Sequence, residues 1–77
     1  MTNAQVRAAR GLLNWTVRDL AEKAAVHRNT VTNIETERYA GDPETLNAIR
    51  RAFEKAGVEF TNGKRPGVRL KAGRGRS

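Results

Sequence analysis

From residue 3 to residue 56 the apolar positions recur three and four apart, and after Gly57 they alternate. Val6, Ala9 and Leu13 repeat on one face behind Thr2 and Gln5, which have capping-box spacing, so a first helix is predicted over 3–13 with Arg10 inside its apolar arc. Thr16 with Asp19 repeats the capping signal, and Val17, Leu20, Ala21 and Ala24 predict a second helix over 17–24. "AAV", residues 24–26, reads as a turn. His27 then takes the N-cap slot of a third helix over about 28–36, in which Val31 and Ile34 share one side. "ERYAGD" reads as a loop. Asp42 caps and Pro43 opens a fourth helix over 43–56, lined by Leu46, Ile49, Phe53 and Ala56 and closed by Gly57.

Beyond Gly57, "VEF" and "VRL" place Val58 and Phe60, then Val68 and Leu70, on a common face around "TNGKRPG", which predicts a β-hairpin within 58–70. A two-stranded ribbon is marginal alone in water, so its apolar face must pack on the bundle or its edge must pair with a second copy. Of the two, a dimer contact through Val58, Phe60, Val68 and Leu70 is the expectation. "KAGRGRS", residues 71–77, has no apolar periodicity and reads as a disordered basic tail. The predicted fold class is mainly all-α, four to five helices over 1–57 followed by a short hairpin.

Composition narrows the function classes. A chain of 77 residues builds one small domain with a thin core. It has no cysteine, which removes disulfides and thiolate metal sites and fits a reducing cytoplasm. No signal-peptide core or long apolar run is present, so a soluble, cytoplasmic protein without membrane contact is expected. The net charge of +7 points to a polyanionic partner, nucleic acid before membrane. Residues 1–57 carry nine basic against seven acidic residues, and residues 58–77 carry six against one, so the excess sits mostly in the tail.

The outer face of the third helix is unusual. Arg28, Asn29, Thr32 and Asn33 occupy it, although Asn and Thr are poor helix formers that compete for backbone hydrogen bonds. Two short helices joined by a tight turn, with a further helix behind, describe a helix-turn-helix. "TVRDLAEKAAVHRNTVTNIETER" resembles the XRE family, the Cro and phage-repressor type of helix-turn-helix, in Thr16, Leu20, Ala21, Val26, Thr30, Val31, Thr32, Ile34 and Glu35. The resemblance covers roughly residues 3–56 and implies a lambda-repressor-like DNA-binding domain. Three positions depart from the family pattern. Val17 stands where Gln usually contacts the DNA backbone, Ala25 replaces the turn Gly at a position where a Cβ is costly at positive φ, and His27 replaces the capping Ser.

The resemblance assigns base contacts to Arg28, Asn29 and Asn33, with Thr32 secondary. The residue types suit that role: Arg bonds guanine with both arms, Asn does the same to adenine, and Thr offers a methyl to thymine. A merely solvated polar face is the alternative. Phosphate contacts are expected from Thr16, Arg18, Thr30, Arg38 and Tyr39; for Arg18 and Arg38 an ordinary surface charge is the competing reading, and for Tyr39 a cover over the core. The family commonly pairs an Arg in its first helix with the Glu ending the third, so Arg10 and Glu35 are expected as a structural salt bridge. The alternative leaves Glu35 solvated and Arg10 on phosphate. Trp15 reads as a lid on the core, and His27 as a cap or a phosphate donor. No metal or other cofactor is expected, because no ligand cluster accompanies the single histidine.

One recognition helix reads only a few base pairs, so the partners expected are double-stranded DNA carrying a palindromic operator and a second copy of the chain in a homodimer. No small-molecule ligand is expected, and regulation of its own promoter, as a repressor able also to activate, is the predicted mode. The layout resembles phage repressors and the control proteins of mobile elements, QseC-type regulators of integrative elements among them. A nucleoid-associated place in the cytoplasm follows. The alternative is an antitoxin-type interaction module that also binds its operator. An enzyme is the least favoured class, since no nucleophile–base pair or phosphate-cradling loop is present.

Overall fold

Each helix starts on the side chain that the sequence marks for it. In the computed structural model, which describes residues 1–38, 41–61, 64 and 66–71, Thr2 and Gln5 close a capping box on α1, Asn3–Leu13. Thr16 and Asp19 close another on α2, Val17–Ala24. His27 caps α3, Arg28–Glu35, and Asp42 caps α4, Pro43–Lys55, with Pro43 in its first turn. α3 and α4 each stop one residue before the predicted end, because Thr36 and Ala56 serve as C-caps. β1, Val58–Thr61, and β2, Gly67–Leu70, pair antiparallel with Val58 opposite Leu70 and Phe60 opposite Val68. Tyr39 and the tail from residue 72 lie outside the described residues.

The first three helices end alike, on one tight reversal. Trp15 N donates to Arg10 O and Asn14 N to Gly11 O after α1; Val26 N donates to Ala21 O and Ala25 N to Glu22 O after α2; Arg38 N donates to Asn33 O and Glu37 N to Ile34 O after α3. This paired pattern is the Schellman ending, which needs a left-handed residue and usually takes glycine there. Here the residues are Asn14 at φ 58°, Ala25 at φ 58° and Glu37 at φ 62°. Ala25 thus adopts the conformation its Cβ argues against, because the reversal must deliver His27 to the start of α3. Only α4 ends on a glycine, Gly57 at φ 97°, from which the chain enters β1.

The core is built from one stripe of each helix: Val6 and Ala9, Leu20, Ala21 and Ala24, Val31 and Ile34, then Ile49, Ala52 and Phe53. Phe53 is its centre. Its ring stacks on Trp15 with centroids 5.7 Å apart and meets the edge of Phe60 at 5.9 Å. Trp15 is therefore the lid expected of it, with Lys23 Nζ 5.8 Å from its ring centroid.

The hairpin closes the core. Its apolar face lies on the bundle of its own chain: Val58 is 0% exposed and belongs to the core, while Phe60, Val68 and Leu70 are half-buried against that core. The physical reason is the thin bundle, which leaves Phe53 uncovered unless the ribbon folds over it. Gln5, only 3% exposed, fixes the hairpin from α1: its Oε1 accepts from Thr2 N at 2.8 Å, and its Nε2 donates to Thr61 O at 3.1 Å and Gly67 O at 2.9 Å.

Arg10 and Glu35 join α1 to the end of α3. Arg10 Nε donates to Glu35 Oε2 at 2.7 Å and Nη2 to Oε1 at 2.9 Å, a two-armed pair, and Nη1 donates to Trp15 O at 3.0 Å. Glu35 is 7% exposed. Its carboxylate raises the Arg10 pKa above the usual guanidinium value, chiefly through this hydrogen bonding.

Two outcomes are expected. Ala25→Gly should stabilise the domain, because relief of a left-handed Cβ, roughly 1–2 kcal/mol, exceeds the added chain entropy of glycine, roughly 0.5–1 kcal/mol; thermal melting followed by circular dichroism should rise by a few degrees. Glu35→Ala should destabilise by about 2–4 kcal/mol, below the full range for a wholly buried pair because Arg10 is partly exposed. Urea titration reads this loss, and an apolar pair such as Arg10→Met with Glu35→Leu should recover much of it.

Candidate nucleic-acid interface

α3 turns Val31 and Ile34 into the core and leaves Arg28, Asn29 and Thr32 exposed, with Asn33 half-buried beside them. Packing against α2 and α1 fixes which face is outward. The N-terminal end is set by His27, whose Nδ1 accepts from Asn29 N at 3.0 Å. That acceptor role places the ring proton on Nε2, so the exposed imidazole presents an N–H donor beside Arg28. The base-edge candidates thus stand together on a helix of eight residues.

The expected phosphate contacts fall around this helix with unequal freedom. Thr16 is exposed but engaged in its cap: its Oγ1 accepts from Asp19 N at 3.0 Å, and its own N–H donates to Asp19 Oδ2 at 2.9 Å. Donation from the Thr16 N–H first, and the Thr16 hydroxyl next to the carboxylate second, hold the Asp19 carboxyl below the ordinary carboxylate value. Because the folded-state pKa is depressed, this support of α2 is present above the ordinary carboxylate range and is lost as pH falls through the lowered value. The start of α2 therefore presents a carboxylate beside Thr16, with Arg18 exposed in the same turn. Val17, standing where the family pattern has Gln, packs against the core and offers no donor. Thr30 is half-buried, and Arg38 is exposed just after α3. Tyr39 lies outside the described residues.

Sequence reasoning missed two polar side chains that reach α3 from behind, and the role of a third, Gln5, in holding the hairpin. Asn3 Nδ2 donates to Ile34 O and Arg7 Nη1 donates to Glu35 O, so both reach the last turn of α3 from α1. The spacing of Gln5 from Thr2 marks it as a capping residue, and its side-chain amide also ties α1 to the hairpin. Asn3, Arg7 and Arg10 fall four and three apart, one helical stripe, and the oddity of Arg10 within an apolar arc was the available signal. No buried side-chain nitrogen or oxygen among the described residues lacks a partner. No described helix is long and apolar enough to cross a membrane.

Comparison with known proteins agrees with this geometry. No curated protein matches the chain. A family model described as helix-turn-helix matches residues 6–60, which run from the core stripe of α1 through α4 into β1 and include both helices of the motif. The chain belongs to the helix-turn-helix family of XRE type, whose members are DNA-binding transcription regulators.

Proposed function

We propose that the protein is an autoregulatory repressor, able also to activate, that binds an inverted-repeat operator as a homodimer with α3 in the major groove. The observation that carries this reading is the outer face of α3. Arg28, Asn29, Thr32 and Asn33 are the residue types that pair with base edges, and they sit together at positions where helix propensity would favour other residues. Arg18, Thr30 and Arg38, with Thr16 through its cap, flank that face and supply phosphate contacts that fix register without reading sequence.

A single copy presents one recognition helix, and an inverted repeat needs two, set about one helical turn of DNA apart. Val58 is taken up by the chain's own core. What remains for a second copy is the outer part of Phe60, Val68 and Leu70 and the backbone of a strand edge. Lys71 N donates to Gly57 O at 2.8 Å, so in the alternating antiparallel ladder the backbone groups of the half-buried Phe60, Val68 and Leu70 point away from the partner strand. Such edges are templates for pairing with another chain.

Two measurements test the reading. In fluorescence-anisotropy titrations at two salt concentrations, DNA from upstream of the protein's own gene should bind more tightly than a scrambled duplex. Asn29→Ala or Asn33→Ala should each lose about 1–3 kcal/mol of that discrimination, whereas Arg18→Ala should weaken both duplexes alike and reduce the salt slope by about one. Equal affinity of wild type for the two duplexes would refute autoregulation. Sedimentation equilibrium should give a mass rising with concentration from one chain towards two; a single-chain mass at every concentration, free and with a palindromic duplex, would refute the homodimer.

A further inference from the structure

The last four carbonyls of a helix have no partner inside it, and in α3 each one is met from outside. Thr32 O accepts from Thr36 N at 2.9 Å and from Thr36 Oγ1 at 2.8 Å. Asn33 O accepts from Arg38 N at 2.9 Å, and Ile34 O from Glu37 N at 3.1 Å. Those bonds belong to the reversal that ends the helix. The remaining ones cross from α1: Asn3 Nδ2 adds a second donor to Ile34 O, and Arg7 Nη1 donates to Glu35 O. Glu35 is accordingly held twice, by Arg10 at its carboxylate and by Arg7 at its main chain.

We propose that Asn3 and Arg7 are positioning residues for sequence recognition: they clamp the end of α3 so that Arg28, Asn29, Thr32 and Asn33 address base edges from one fixed angle. The proposal rests on the DNA-binding reading above. The chemistry suits the place. A guanidinium facing the carbonyl end of a helix meets its partial negative charge, and a charged donor bonds a carbonyl more strongly than a neutral one. α3 has only two turns, so with its end released it can pivot about the His27 cap. Two-armed contacts to a base depend on angle and distance together, whereas phosphate attraction tolerates displacement. Loss of Arg7 should therefore cost discrimination before it costs general affinity.

The test begins by enriching a preferred duplex from a pool with a randomised core, using the full wild-type chain. Affinity for that duplex and for a shuffled one is then measured well below the melting temperature, for wild type, Arg7→Met, Arg7→Lys and Asn3→Ala. Amide hydrogen exchange of the DNA-free proteins is followed in parallel. Arg7→Met should lower the affinity ratio roughly tenfold, in line with loss of a charged hydrogen bond, while shuffled-duplex affinity stays within about twofold. Arg7→Lys should restore most of the ratio, and Asn3→Ala should lose less. Exchange at Glu37 and Arg38 should quicken in Arg7→Met without change in α4. A purely structural role would reduce the binding-competent fraction for both duplexes and leave the ratio unmoved, which overturns the proposal. Equal loss on both with a smaller salt slope would make Arg7 a phosphate contact and also overturn it. If the wild type enriches no duplex, the DNA-binding reading fails first, and exchange then decides the clamp: unchanged exchange at Glu37 and Arg38 removes it.

Discussion

An eight-residue helix cannot hold its shape in water, because two turns return too few hydrogen bonds for the entropy of nucleation. Everything that fixes α3 must come from its neighbours, and the structure supplies this at both ends and along one face. His27 holds the N-terminus, Val31 and Ile34 bury the inner stripe, and α1 grips the C-terminus through Asn3, Arg7 and Arg10. Side chains that favour helix on the outer face would add only tenths of a kcal/mol each. Support from behind frees that face to carry Asn and Thr.

The same economy explains the three left-handed residues. A bundle this small has no room for long connections, so α1, α2 and α3 each reverse within a few residues, and the reversal dictates a positive φ whatever side chain stands there. Asn14 suits that conformation because its short polar side chain tolerates it. Ala25 and Glu37 have no such help and are held by the backbone bonds that close each reversal, Val26 N to Ala21 O and Arg38 N to Asn33 O. The family pattern's glycine was a way of reaching this backbone without strain; the fold keeps the backbone when the glycine is gone.

What could be seen in the sequence follows from how local each signal is. The helix starts were legible because a cap is a relation between residues three apart: Thr2 with Gln5 and Thr16 with Asp19 announce themselves. Helix interiors and the hairpin were legible from periodicity. The reversal at Glu37 carried no mark, since the usual glycine is absent. The destination of the hairpin was not legible either. Alternation says that Val58, Phe60, Val68 and Leu70 share a face, but whether the face meets its own bundle or a second copy depends on the coverage Phe53 lacks, a property of the assembled helices. The candidate recognition residues stood out by type, and the XRE resemblance supplied their expected placement; the bonds from Asn3 and Arg7 did not, because they fall on main-chain carbonyls about thirty residues away that any side chain could precede.

Charge shows the difference between attraction and reading. The helical part of the chain is nearly balanced, with nine basic against seven acidic residues over 1–57, and several charges there and in the hairpin are already committed. Arg10 is paired with Glu35, Arg50 with Glu54 at 2.9 Å, and Arg69 with Glu59 at 2.6 Å. Asp19 places a carboxylate at the start of α2 itself. A domain so disposed gains little from net charge over its helices, and in the proposed reading attraction for a polyanion at α3 falls to a few placed groups such as Arg18, Arg28 and Arg38. With few such groups, the geometry of α3 matters more than the sum of charges. The arrangement that holds Glu35 in place is for that reason closer to the chemistry of recognition than its burial suggests.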